Sequence, residues 1–119
     1  MMVAMPIEPL TVEDRPDQQS GRRVLSLKGP LLISNLYEFQ TKVRSNRSRS
    51  LIIDFSQVPY VDSAGIGALV GAQVTQQKEG RSLALVGVSE RVRNALKVTH
   101  VEQFFKFFDS LPAAEEACA

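Results

Sequence analysis

Two segments near the N-terminus alternate apolar and polar residues, which is the pattern of strands with one buried face. The first is "LTVED" and the second is "RVLSLKG". The stretch between them, "RPDQQSG", combines Pro, Asp, Ser and Gly and is therefore predicted to be a loop. The two strands are expected to form a hairpin at the start of a sheet.

Three later segments are apolar without this alternation. "SLIIDF" and "SLALVGV" are short β-rich runs, which are typical of strands buried on both faces. "FFKFF" is predicted to be the final strand or the approach to it. Each of the three follows a stretch that is predicted to be helical, so strands and helices should alternate along the chain.

Four segments are predicted to be helices from their apolar spacing or from a capping residue. They are "SNLYEFQTKVRSN" with Ser34 as N-cap, about Ala64 to Glu79 with Gly80 as a left-handed C-terminal cap, "ERVRNALKV" with Ser89 as N-cap, and "SLPAAEEACA" with Pro112 in its first turn. The basic end of the first helix suits the helix dipole and is interpreted as a solvated helix end.

The alternation of strands and helices predicts a small α/β domain. Its central sheet should be mostly parallel, with about five strands and interspersed helices. In such sheets, binding sites form beyond the carboxyl ends of the strands. The turn between "SLIIDF" and the second helix lies at such an end.

Composition narrows the class of protein. The chain has 119 residues, a formal net charge of +1 and one cysteine, Cys118, so one domain is expected, with no internal disulfide and no nucleic-acid footprint. No apolar run is long enough to span a membrane. We therefore expect a soluble, cytoplasmic single domain without direct membrane insertion, in which residues 1–9 are frayed.

The stretch "VPYVDSAGIGALVGA" is the main candidate for function, because it places Ser63 between an acid and glycines after a buried strand. Two enzyme interpretations fail on spacing. The glycines read G-x-G-x-x-x-G, one residue longer than the dinucleotide fingerprint. Val61 stands where a nucleophile elbow needs glycine, and the single histidine, His100, falls in a predicted surface connection. The chain is therefore predicted not to be an enzyme and to hold no cofactor or metal.

Two non-enzymatic roles remain open for Ser63. Ser63 or Asp62 is expected to cap the following helix. The helix start also tolerates a phosphate, so Ser63 is a candidate phosphoacceptor whose modification would repel a bound partner. Gly65 and Gly67 weaken a helix, which suggests close approach of a backbone or a partner; alternatively, Gly67 and Gly71 only let the helix lie close to the sheet.

The segments "LIIDFSQVPYVDSAGIGALVGA" and "GRSLALVGVSERVRNALKVTHV" resemble the anti-sigma factor antagonists (anti-anti-sigma factors) of bacterial partner-switching systems, which belong to the STAS domain family. The resemblance runs from about Leu10 to Ala117, and its most specific part is the D-S-[AST]-G-[ILM]-G core. It implies a domain that binds an anti-sigma factor with serine kinase activity and thereby releases a sigma factor, so that it regulates transcription without catalysis.

The resemblance also implies a phosphorylation cycle. The kinase would modify the serine that follows the aspartate, Ser63, and a metal-dependent serine phosphatase would reverse this. The partner-facing surface is expected to comprise Asp62, Ala64, Gly65, Ile66 and Gly67, with Leu31 and Leu32 making it more apolar.

One departure from the family pattern keeps a second interpretation open. The family often has acids after the second strand, whereas Pro30 and Leu32 stand at those positions here. Such a domain could instead be a non-switching interaction subunit of a scaffold or transporter complex.

Overall fold

This computed structural model describes residues 9–17 and 21–117, in which two consecutive strands are followed by alternating α-helices and strands, with five strands and four α-helices in all. The strands are β1 (Thr11–Asp17), β2 (Arg22–Lys28), β3 (Ser50–Gln57), β4 (Ser82–Val86) and β5 (Lys106–Phe108). The helices are α1 (Leu36–Arg44), α2 (Ser63–Lys78), α3 (Glu90–Val98) and α4 (Leu111–Ala117), and a 3-10 turn (Glu102–Phe104) precedes β5.

The strands form one sheet in the order in which they occur in the chain. β1 and β2 pair antiparallel as the expected hairpin, whereas β2 to β5 are all parallel. The sheet is thus mixed but mostly parallel, which confirms the predicted α/β fold. Because β3 runs parallel to its neighbours, α2 begins at the edge where their carboxyl ends meet.

The two faces of the sheet are covered unequally. Leu51, Ile53 and Phe55 of β3 join the large core cluster that also contains the buried residues of α1, α2 and α3. Ile52 points to the other face and packs in a small cluster with Ala114 of α4. The continuous apolar run of β3 is therefore explained by burial on both faces. The candidate site lies on the face of the sheet that α1, α2 and α3 cover.

An ion pair fastens the hairpin to α1. Arg23 donates to both carboxylate oxygens of Asp14, at 2.8 and 2.7 Å, and its third contact is a hydrogen bond to the Lys42 carbonyl at 3.1 Å. The Lys42 ammonium lies 3.5 Å from the same carboxylate. The hydrogen bonds from Arg23 and the two positive charges hold the pKa of Asp14 below its ordinary value, against the opposing effect of burial.

Two boundaries differ from the sequence-based expectations. α1 begins after Asn35 rather than Ser34, because the Asn35 side chain folds back onto the preceding loop. β1 continues through Asp17, so part of the predicted loop is strand, and Pro16 is accommodated because β1 is an edge strand. The predicted fraying of the N-terminus and Cys118 lie outside the described residues, apart from Pro9.

Other local expectations are confirmed. The Ser89 hydroxyl accepts a hydrogen bond from the Val92 amide and caps α3. Gly80 follows α2 in the left-handed region, with a φ of 72°. Pro112 lies in the first turn of α4, where its missing N–H costs no helical hydrogen bond.

Replacing Asp14 by Asn tests the ion pair. We expect the free energy of unfolding near neutral pH to fall by about 1–3 kcal/mol, because Arg23 loses its charged acceptor. The folded pKa of Asp14 lies below its unfolded value, so this stabilisation is present above the unfolded pKa and is lost as pH falls through the folded pKa. Urea unfolding should therefore show the two proteins converging in acid.

The matched control is Asp109→Asn, which alters an exposed aspartate and should change stability little at any pH. A stability difference between wild type and Asp14→Asn that stays constant into acid would contradict the assignment.

Candidate functional site

Ser63 is the first residue of α2 and is exposed at the carboxyl edge of the parallel strands. This is the position that the sequence predicted. Among the described residues, its hydroxyl group takes part in no hydrogen bond. The N-cap is Asp62, so of the two capping candidates the aspartate has that role and the serine hydroxyl is left available.

The Asp62 carboxylate joins two elements. Its Oδ1 accepts a hydrogen bond from the Gly65 amide at 2.8 Å, which caps α2. Its Oδ2 accepts from the Ile33 amide at 3.0 Å, in the loop between β2 and α1. One side chain therefore fixes both the helix start and the neighbouring loop.

Backbone contacts hold the same loop against α2. Leu31 forms an isolated parallel bridge with Val61. The Leu31 amide donates to the Tyr60 carbonyl at 3.2 Å, and the Asp62 amide donates to the Leu31 carbonyl at 3.2 Å. Ser63 therefore comes directly after a short segment, Tyr60 to Asp62, whose backbone is hydrogen-bonded to Leu31.

The glycines of α2 have different roles. A Cβ on Gly65 would overlap the Leu31 carbonyl oxygen, so glycine is required there by the close backbone approach. Gly67 and Gly71 are exposed, and a Cβ on either would meet nothing within 4 Å. The hypothesis that these two glycines let α2 lie close to the sheet is therefore wrong.

The loop between β2 and α1 is ordered by Asn35. Its Oδ1 accepts from the Leu32 amide and its Nδ2 donates to the Pro30 carbonyl, each at 2.9 Å. This turn leaves the Ile33 side chain 76% exposed, although the Ile33 amide is bound to Asp62. A large apolar side chain is thereby displayed beside the start of α2.

The residues predicted to face a partner fall into three groups by exposure. Gly67 is exposed, Asp62, Ala64 and Leu32 are half-buried, and Leu31, Gly65 and Ile66 are buried. The expectation that Leu31 makes the surface beside Ser63 more apolar is wrong, because Leu31 is 0% exposed and packs in the large core cluster. The buried residues of this set lie under the site and support it. Contact between a partner and the other residues of the set stays a prediction.

Two features of the sheet edge at which Ser63 lies were not predicted from the sequence. Ile33 supplies the apolar surface that had been assigned to Leu31. The Arg91 guanidinium lies 4.8 Å from the centre of the Tyr60 ring, so the start of α3 is stacked on the segment that leads to Ser63. Neither feature has a local sequence signal, because each depends on which loops meet at the edge.

The arrangement does not support a serine nucleophile. His100 follows the end of α3, whereas Ser63 begins α2, so the two residues lie at opposite edges of the sheet. Within residues 9–17 and 21–117, no group of His, Cys, Asp or Glu is arranged to hold a metal ion. In the same part of the chain, no helix has the length and apolar character needed to cross a bilayer.

The fold and the site together define a small α/β domain in which an exposed serine lies at a helix start that Asp62 caps. A family model for the STAS domain matches residues 15–114. The chain belongs to the STAS domain family, as the sequence motif had predicted.

Similar proteins include regulators and a transporter. The anti-sigma-B factor antagonist of Staphylococcus aureus is 28% identical over 67 residues, which are 56% of this chain and 62% of that relative. The structure of an anti-sigma factor antagonist from Mycobacterium paratuberculosis has a TM-score of 0.79 at 20% identity and covers 92% of this chain and 93% of that one. The murine Slc26a9 anion transporter has a TM-score of 0.69 at 27% identity over 82% of this chain and 18% of the transporter.

A pair of glycine substitutions tests the packing beneath Ser63. Gly65→Ala should destabilise the protein by about 1–3 kcal/mol, because the new methyl group forces apart Leu31 and α2. Gly67→Ala, two residues further along the same helix, should instead stabilise it by up to about 1 kcal/mol through helix propensity. Urea unfolding of both variants measures the difference. Equal effects of the two substitutions would disprove the close approach at Gly65.

Proposed function

We propose that this chain is a cytoplasmic anti-sigma factor antagonist whose activity is switched by phosphorylation of Ser63. Its partner is an anti-sigma factor that is also a serine kinase, and a serine phosphatase restores the binding form. The observation that carries this proposal is the exposed Ser63 hydroxyl, unengaged among the described residues, at a helix start that Asp62 caps. The chain has no catalytic role in this scheme.

The relatives of this chain support one part of the proposal, namely the role of an anti-sigma factor antagonist. Similar proteins at modest identity are anti-sigma factor antagonists, including the staphylococcal protein. That alignment spans 62% of the staphylococcal relative's length. The kinase partner and the modification of Ser63 belong to the proposal and rest on the site itself.

The fold would tolerate a phosphate on Ser63. The first turn of a helix carries a partial positive charge, which stabilises anions there. The hydroxyl is exposed, so a phosphate would enter no packed space. The Asp62 cap would remain in place because its oxygens are bound to amides and not to Ser63.

A partner would not tolerate the same phosphate. Phosphorylation adds a charge of about −1.5 to −2 beside the Asp62 carboxylate, and a protein packed over Ser63 would have to desolvate both groups. Weakening a complex a hundredfold requires only about 2.8 kcal/mol. The modification would therefore remove the partner and leave the domain folded.

A non-switching STAS subunit of a scaffold or transporter complex is the second candidate. The similarity to the murine Slc26a9 anion transporter favours it, as does the absence of acids at Pro30 and Leu32. In that case the surface around Ser63 would bind its partner irrespective of modification.

Substitutions of Ser63 separate the two functions. Ser63→Ala removes the acceptor and little surface, so its affinity for the anti-sigma factor should match that of wild type. Ser63→Glu adds about one charge and should weaken binding at least roughly tenfold. Isothermal calorimetry with each purified serine-kinase anti-sigma factor of the source genome measures this, and circular dichroism checks the fold.

Gln77→Glu is the matched control, because it adds one negative charge to an exposed position at the far end of α2. It should bind like wild type. Identical affinities for wild type, Ser63→Ala and Ser63→Glu would reject the switch and favour the fixed subunit.

A further inference from the structure

A groove of about 460 Å³ runs between α1 and α2. It begins at Ile33 and Ala64, next to Ser63, and extends to Arg44 and Thr75 near the other ends of the two helices. From Ala64 to Thr75 the helix rises about 16 Å, or three turns. We call this surface the α1–α2 groove.

The α2 side of the groove is formed by small residues. Gly67 and Gly71 line it, and a Cβ on either would meet nothing within 4 Å. Glycine in an exposed helix interior weakens the helix, and packing within this chain does not require it here. The open positions allow another backbone to approach α2 closely.

The α1 side of the groove is mostly apolar, with Gln40 as an uncharged polar residue along its length. Leu36, Phe39 and Val43 line it from α1, and Ile33 stands at its entrance with 76% of its surface exposed. Large exposed apolar side chains that border a groove are typical of protein-binding surfaces. The surface continues directly into the Ser63 edge, since Ala64 lines the same groove.

The far end of the groove is basic. Arg44 lines it, and the adjoining depression contains Arg47 and Arg81, with Glu79 as its only acid among the described lining residues. None of the ion pairs of the described chain includes Arg44 or Arg47. The groove therefore combines a mostly apolar length with a positively charged end, at which Arg44 and Arg47 have no carboxylate partner among the described residues.

We propose that the α1–α2 groove receives an amphipathic helix of the anti-sigma factor. That helix would present an apolar face to Ile33 and the open glycines, with an acidic side chain opposite Arg44. Helix-in-groove recognition fits two neighbouring helices with small residues between them, and the basic end fixes the direction. This inference rests on the proposed function and adds the docking surface and the chemistry of the partner. A helix seated there ends beside Ser63, where a phosphate would meet it.

Filling the groove tests the proposal. Gly71→Leu should raise the dissociation constant for the anti-sigma factor at least about tenfold, because the side chain occupies space that the partner helix needs. Its melting temperature should be equal to or above that of wild type, since leucine favours the helix. Gln77→Leu puts the same side chain at an exposed position of α2 outside the groove and should bind like wild type.

Charge reversal tests the basic end. Arg44→Glu should weaken binding at least about tenfold at low salt, and the difference from wild type should shrink as salt screens the contact. Lys78→Glu makes the same change in the last turn of α2, outside the groove, and should leave the dissociation constant unchanged. Equal losses for both variants would overturn the acidic contact at Arg44.

The outcomes separate this inference from the proposed function. If wild type binds no anti-sigma factor, the proposed function fails and the inference fails with it. If wild type binds but Gly71→Leu binds equally well, only the groove proposal is overturned. It is also overturned if Gly71→Leu abolishes self-association in sedimentation without changing anti-sigma factor affinity, since the occupant is then a second copy. If Gly71→Leu and deletion of residues 1–8 each tighten binding instead of weakening it, the chain's own N-terminal segment is the occupant and the proposal is rejected.

Discussion

The carboxylate of Asp62 is the constraint on which the functional edge depends. By accepting hydrogen bonds from the Gly65 and Ile33 amides, it caps α2 and ties down the loop between β2 and α1. Both positions would otherwise expose backbone donors at the edge of the domain. Because Asp62 performs the capping, the adjacent Ser63 hydroxyl is left available at a helix start that does not need it.

This division of roles explains how a small domain can carry a switch without losing its fold. Stability comes from the core of β3 and its covering helices and from the Asp14–Arg23 ion pair. The charge change that we propose occurs on the exposed first residue of α2, where the helix dipole favours an anion. A partner that also lies in the α1–α2 groove would contact three turns of α2. Its affinity would still depend on whether Ser63 is phosphorylated.

Local signals in the sequence predicted most of the fold. The hairpin and the Ser89 cap follow from residues close together in the chain, and both are confirmed. The exact start of α1 was not predictable, since Ser34 and Asn35 are both good capping types and contacts to the preceding loop decide between them. The burial of Leu31 was missed because it depends on core packing against residues that are distant in the chain.

The central claim is that a phosphate on Ser63 removes the partner and leaves the domain intact. The most direct test compares the chain carrying phosphoserine at position 63 with the unmodified chain in calorimetric titrations against the same anti-sigma factor. We predict that the dissociation constant rises at least about a hundredfold, which corresponds to about 2.8 kcal/mol, while the folded state is retained. Equal affinity of the two forms would contradict the account.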